Sequence, residues 1–155
     1  MSRLAEVCGL LNRTGAEYIL VGTRALQLWG SGRAGCDIEI LIEPSTTNAG
    51  RVLRALGQFG FRFAREWLAE AVAQRHVTVL GDRPRVHVLT VAATLQHGDV
   101  AQKARHFDLE GVRIPTASLD DLIVLKRTGW PGDAADVEVL EAIRRLRGEG
   151  ASGER

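Results

Sequence analysis

Residues 36–43 alternate: Cys36, Ile38, Ile40 and Ile42 fall on one side of the chain, and Asp37, Glu39, Leu41 and Glu43 on the other. A period of two marks a β-strand, because successive side chains point to opposite faces of a sheet. To either side the period becomes helical. Leu4, Val7, Cys8 and Leu11 recur at i, i+3, i+4 and i+7 and stop at Thr14-Gly15. A second stripe, Ala49, Val52, Leu53, Leu56 and Phe59, opens after Pro44-Ser45 and closes at Gly60. A strand bracketed by amphipathic helices calls for a layered fold of helices on a sheet.

The rest of the chain extends that pattern. Tyr18-Ile19-Leu20-Val21 reads as a short buried strand running into Gly22, with a helix expected from Arg24 to Trp29. A short helix is expected over Arg65 to Ala71. His76 to Leu80 and Arg85 to Thr90 read as paired strands across Gly81-Asp82-Arg83-Pro84. Phe107-Asp108-Leu109 and Val112-Arg113-Ile114 flank Glu110-Gly111 as a hairpin. Ser118-Leu119-Asp120-Asp121 is a helix start of the capping-box kind. A last helix begins at Gly132-Asp133 and buries Val137, Leu140, Ile143 and Leu146. The expected fold class is α/β (α+β), a mixed sheet flanked by helices. The 155 residues make one domain over 1–147 and a flexible tail over 148–155.

Composition narrows the function classes. Hydrophobic residues are 45% and charged residues 25%, which excludes a collagen-like, fibrous or disordered chain. The net charge of +1 gives no basic excess for general nucleic-acid or anionic-membrane binding. No apolar run reaches the roughly 18 residues of a membrane span, and Glu6, Asn12 and Arg13 interrupt any signal-like start. Cys8 and Cys36 form no CxxC pair and read as small buried hydrophobes in a reducing compartment, so a cytoplasmic location is expected. There is no P-loop, no Gly-x-Ser-x-Gly and no dinucleotide fingerprint, and His76, His97 and His106 lack metal-ligand spacing.

Chemistry concentrates between residues 22 and 39. Gly22-Thr23 stands where a strand meets a helix, and there free backbone N–H groups favour an anion such as phosphate. It reads equally as a plain strand-to-helix turn. Asp37 and Glu39, two apart on a strand, project their carboxylates from one face and repel each other unless a cation lies between them. The alternative is a solvated strand face. Arg24 and Arg33 flank this stretch, able to reach a triphosphate or to pair with a surface acid. Of 20 basic residues only Lys103 and Lys126 are lysine. Lys126 continues the stripe Leu119, Leu122, Ile123, so it either faces inward toward Asp37, Glu39 or a phosphate, or snorkels from the helix end.

The ordered set Gly22-Thr23, Arg33, Asp37 and Glu39 resembles the core of the polymerase-β-like nucleotidyltransferase superfamily in its small bacterial form. That form includes minimal nucleotidyltransferases and abortive-infection toxins, hence a toxin–antitoxin-like setting. The resemblance continues through Pro44-Ser45, Asn48-Ala49, Val112-Arg113-Ile114-Pro115 and Ser118 to Ile123, then Lys126, Asp133 and Asp136. It implies that Asp37 and Glu39 hold Mg²⁺ (or Mn²⁺) against an NTP, with Gly22, Thr23, Arg24, Arg33 and Lys126 binding the nucleotide. A hydroxyl acceptor on RNA, protein or a small molecule then attacks the α-phosphorus. Where the family carries a third acid the chain has His87. His87 is open to three readings: a general base, a ligand shifting preference toward Mn²⁺ or Zn²⁺, or the mark of lost catalysis. Trp130 and Gly132 depart from the Arg and Lys common in the family. A catalytically degenerate module that binds nucleotide or a protein partner is the alternative, an oligomeric structural module a third, and a homodimer is compatible with each.

Overall fold

The computed structural model describes residues 1–127 and 131–148, so Trp130 and the tail from residue 149 lie outside the described residues. Helices α1 (Arg3–Arg13), α2 (Gly22–Trp29) and α3 (Thr46–Phe59) alternate with strands β1 (Tyr18–Val21) and β2 (Ile38–Ile42). After a 3-10 turn at Arg62–Glu66 come α4 (Ala69–Gln74), β3 (Val77–Leu80), β4 (Val86–Leu89) and α5 (His97–Ala101). Strands β5 (Arg105–Leu109) and β6 (Val112–Thr116) precede α6 (Leu119–Lys126) and α7 (Pro131–Leu146). The strands form one six-stranded mixed sheet, ordered β3-β4-β2-β1-β6-β5. Pairs β1–β2, β3–β4 and β5–β6 are antiparallel, whereas β1–β6 and β2–β4 are parallel. The expected α/β (α+β) class is therefore found.

The core lies on the sheet face that carries Tyr18 and Leu20. Ile38, Ile40 and Ile42 of β2 and Val86 and Val88 of β4 are buried there. Helices α1 and α3 pack together over this face, contributing Leu4, Leu11, Val52 and Leu56. Ser2, Ser45 and Ser118 each accept a backbone N–H at the start of α1, α3 and α6, which satisfies one of the free donors there. Trp29, at the end of α2, donates from Nε1 to the Ala117 carbonyl at 2.9 Å and meets Phe107 edge-on at 5.0 Å. The opposite face is covered under β1, where α5 packs, and thins toward the β3 edge, where Val77 and Val79 are exposed.

Five local expectations need correction. Strand β2 begins at Ile38, not Cys36, and Cys36 is exposed rather than buried. The cause is β1, whose chain turns into α2 after Val21 and leaves residue 37 no neighbour on that side. Helix α2 starts at Gly22, ahead of Arg24. The segment expected as one helix over 65–71 divides at Trp67-Leu68. Helix α5 was not expected, because five residues carry no full period; a reciprocal pair between Gln96 and Asp99 caps it. Leu146 is 88% exposed, since it lies at the open end of α7. Among the described residues no helix is long and apolar enough to cross a membrane.

Asn48, 1% exposed, ties the edges of this frame together. Its Oδ1 accepts from the Glu17 N–H at 2.7 Å, and its Nδ2 donates to the carbonyls of Glu17 and Glu43 at 2.9 and 2.8 Å. Asn48→Ala removes three hydrogen bonds and strands the Glu17 N–H and the Glu43 carbonyl, while the Glu17 carbonyl keeps the Glu43 N–H at 3.2 Å. It is expected to destabilise the domain by about 2–3 kcal/mol and lower Tm by roughly 5–10 °C. A thermal melt indistinguishable from the parent would show that water replaces the amide without loss.

Candidate functional site

The register between strands decides which side chains meet. Val21 of β1 stands opposite Glu39 of β2, and Glu39 stands opposite His87 of β4. Residues opposite each other across a sheet share a face, so Val21, Glu39 and His87 form one row. Asp37, just ahead of β2, reaches the same place: its Oδ2 is 3.5 Å from His87 Nε2. The structure thus brings together Asp37, Glu39 and His87. At 3.5 Å the Asp37–His87 contact is a loose one, outside good hydrogen-bond geometry. Asp37 is exposed and the other two are half-buried.

Gly22 suits this position for two reasons. Its φ is +72°, and a Cβ at this position would lie 2.6 Å from Glu39 Cδ and closer still to Oε2. The Glu39 carboxylate therefore fills the space the missing side chain leaves, at the N-terminal end of α2. Negative charge is favourable at that end of a helix. The cap residue Val21 supplies no side-chain oxygen, so the first turn of α2 carries no side-chain cap. Thr23 is held in turn by Gly35, where a Cβ would fall 2.9 Å from Thr23 Cγ2. Gly22 and Gly35 let the two ends of the 22–37 segment close on each other.

A cavity of about 320 Å³ opens beside this row, lined by Val21, Gly22, Glu39, Leu122, Lys126 and Asp133 among others. Lys126 thus faces the site, but its partners differ from those expected. It is not paired with Asp37 or Glu39. Its Nζ lies 3.3 Å from Asp133 Oδ1 and 3.2 Å from Asp136 Oδ2. Arg33 likewise binds Asp136 Oδ1 at 2.9 Å and the Gly132 carbonyl at 3.4 Å. Asp136, 4% exposed, bridges both cations, and the cluster is electrically balanced. Asp133 sits in the first turn of α7, not at its cap. Arg24 does not join the group. Its Nε is buried without a hydrogen-bond partner, and its charge acts instead on the Cys8 thiol of α1.

Burial pushes the Cys8 thiol up to about 12, against the lowering influence of its Tyr18 hydrogen bond and of Arg24, so it is no thiolate nucleophile at neutral pH. The pairing of Lys126 and Arg33 by Asp133 and Asp136 escaped the sequence reading. Its only sequence signal is the i, i+3 spacing of two acids at the start of α7, which puts both on one helix face.

Two carboxylates suit a hard divalent cation that takes its remaining ligands from phosphate and water. Of Asp37, Glu39 and His87, only Glu39 lines the cavity; Asp37 and His87 meet each other beside it. The three do not form a closed ligand set, because among the described residues no group of three His, Cys, Asp or Glu side chains is disposed to hold a metal.

The fold is a mixed α/β domain, a six-stranded mixed sheet flanked by helices. Among solved structures it resembles a provisionally assigned nucleotidyltransferase from Thermotoga maritima, at 15% identity and a TM-score of 0.54, over 94% of this chain and 90% of that one. At such low identity the likeness establishes the fold alone. No protein-family model and no curated protein matches the chain.

Asp136→Asn removes the charge that holds both Lys126 and Arg33. It is expected to destabilise the domain by about 2 kcal/mol, less than a fully buried pair because Arg33 is open to water, and to lower Tm by roughly 4–8 °C. An unchanged Tm would mean the cluster contributes nothing to stability.

Proposed function

We propose that the cleft beside Gly22 binds an NTP with a divalent cation and transfers its nucleoside monophosphate to a hydroxyl acceptor on RNA, protein or a small molecule. The observation that carries this reading is the row formed by Glu39 and His87 across β2–β4, with Asp37 3.5 Å from His87 beside the N-terminus of α2. Asp37 and Glu39 would hold Mg²⁺ or Mn²⁺, which when bound neutralises charge on the phosphates.

The chain's own residues divide the remaining work. The backbone at Gly22 and Thr23 faces the polyphosphate at an uncapped helix start. His87 takes the proton from the acceptor hydroxyl at Nδ1, while Asp37, whose Oδ2 faces Nε2 at 3.5 Å, orients the imidazole and stabilises it once charged. The acceptor oxygen forms a bond to the α-phosphorus as the bond to the bridging oxygen breaks, and pyrophosphate leaves with that electron pair. Lys126 lines the cavity where the departing phosphates would lie. The apolar wall that includes Leu122 supports the nucleoside.

A second reading is nucleotide binding without turnover. It draws on the balanced cluster, in which Lys126 and Arg33 are already occupied by Asp133 and Asp136. It also draws on an imidazole standing where the resembling family has an acid.

Thermal shift with each NTP, with and without Mg²⁺ or Mn²⁺, followed by pyrophosphate release, separates the two. Metal-dependent stabilisation with release supports transfer, and stabilisation without release supports binding alone. Asp37→Asn is expected to weaken metal-dependent NTP binding at least about tenfold, equivalent to about 1.4 kcal/mol. Binding equal to the parent would place Asp37 outside the site. His87→Asp is expected to raise turnover if position 87 is a weakened third ligand, and to lower it if His87 is the base.

A further inference from the structure

At the other end of β1 lies a second cavity of about 320 Å³ that shares no residue with the first. Glu17, Arg113, His97, His106, Asn12 and Tyr18 line it among others. Glu17 and Arg113 carry opposite charges and face one cavity. Yet neither side chain makes an ion pair or hydrogen bond among the described residues. Both side chains are exposed at the mouth of the cavity, so water solvates the two charges and little drives them to pair with each other.

Their backbones are held in place by a hydrogen-bonded frame. Buried Asn48 grips both backbone groups of Glu17, at 2.7 and 2.9 Å. On the far wall Asn12 donates to the Arg113 carbonyl at 2.9 Å, and the Tyr18 hydroxyl fixes Asn12 by donating to its Oδ1 at 2.9 Å. One imidazole stands near each charge. Burial lowers the His97 and His106 values, with Arg113 adding to the effect at His106 and Glu17 and Glu43 opposing it at His97. Both imidazoles are therefore neutral at neutral pH, and Glu17 and Arg113 alone among these six are charged.

We propose that this cavity is a binding site for a compact zwitterion, a free amino acid in chemical class, with its carboxylate on Arg113 and His106 and its ammonium on Glu17 and His97. Each end then makes a charge-assisted hydrogen bond that the empty cavity lacks. The frame fixes the two backbones, so the ordering left for the ligand to impose is confined to the Glu17 and Arg113 side chains. The volume lies at the lower end of small-molecule sites and suits a ligand of amino-acid size. A polyphosphate is disfavoured by Glu17, and a wholly apolar ligand by the two charged side chains. This site is independent of the proposed transfer reaction.

The test is thermal shift with glycine, γ-aminobutyrate and ε-aminocaproate, which space the two charges progressively, beside butylamine and butyrate. A ligand at about tenfold its Kd raises Tm by roughly 3–5 °C in a domain of this size. At least one zwitterion is expected to do so, and the singly charged compounds are not. Glu17→Gln and Arg113→Gln are each expected to abolish the shift while leaving the ligand-free Tm within about 1 °C, because neither side chain has an internal partner. The proposal is overturned by the absence of any zwitterion shift, by an equal shift with butylamine or butyrate, or by a shift that survives in both variants.

Discussion

The candidate site depends on the register between β1 and β2. Pairing Val21 with Glu39 places that carboxylate at the last residue of β1, one position before the chain turns into α2. Position 22 favours glycine, because its φ of +72° strains any other residue and a Cβ there would displace the Glu39 carboxylate. A slip of one residue would turn Glu39 toward the core and Ile38 or Ile40 toward the cleft, at the cost of burying a charge. The hydrophobic core thus enforces the arrangement of the polar site, since Ile38, Ile40 and Ile42 are all fully buried.

Charge balance sets the second constraint. Asp136 is nearly inaccessible to water and holds two cations, Lys126 from α6 and Arg33 from the loop that leads to Asp37. This ties the last helix to the segment that delivers the candidate acids. The same bonds leave little free positive charge beside the cavity. A polyphosphate entering there has to share Lys126 and Arg33 with the α7 carboxylates or displace them.

Much of this was legible in the sequence, because burial follows periodicity. The alternation around Ile38–Ile42 and the stripes of α1 and α3 specified strands and helices directly. The order of Gly22, Asp37, Glu39 and His87 pointed to one cleft; the register sets His87 opposite Glu39 and near Asp37, while the cavity itself is lined by Gly22 and Glu39 and not by Asp37 or His87. What escaped the sequence reading was tertiary. Cys36 continues the alternation of β2, yet β1 has ended by that point, so the pattern outruns the sheet. Lys126 falls on an inward stripe, but its partners come from a helix whose docking no local pattern encodes. Helix α5 is too short to show a period, and Leu146 continues a stripe past the surface it would pack on. Arg24, close in sequence to Gly22, turns its charge toward Cys8, because a helix start sends neighbouring side chains in different directions.

The four histidines provide a direct reading of where a metal–nucleotide complex sits, since His87 stands opposite Glu39 across β2–β4 and His97 and His106 line the cavity at the far end of β1. The decisive measurement is the paramagnetic broadening of their imidazole proton resonances by Mn²⁺ added with a non-hydrolysable NTP analogue. The account predicts selective loss of the His87 signal while those of His97 and His106 persist. Uniform broadening, or a His87 signal that survives saturating Mn²⁺ and nucleotide, would contradict it.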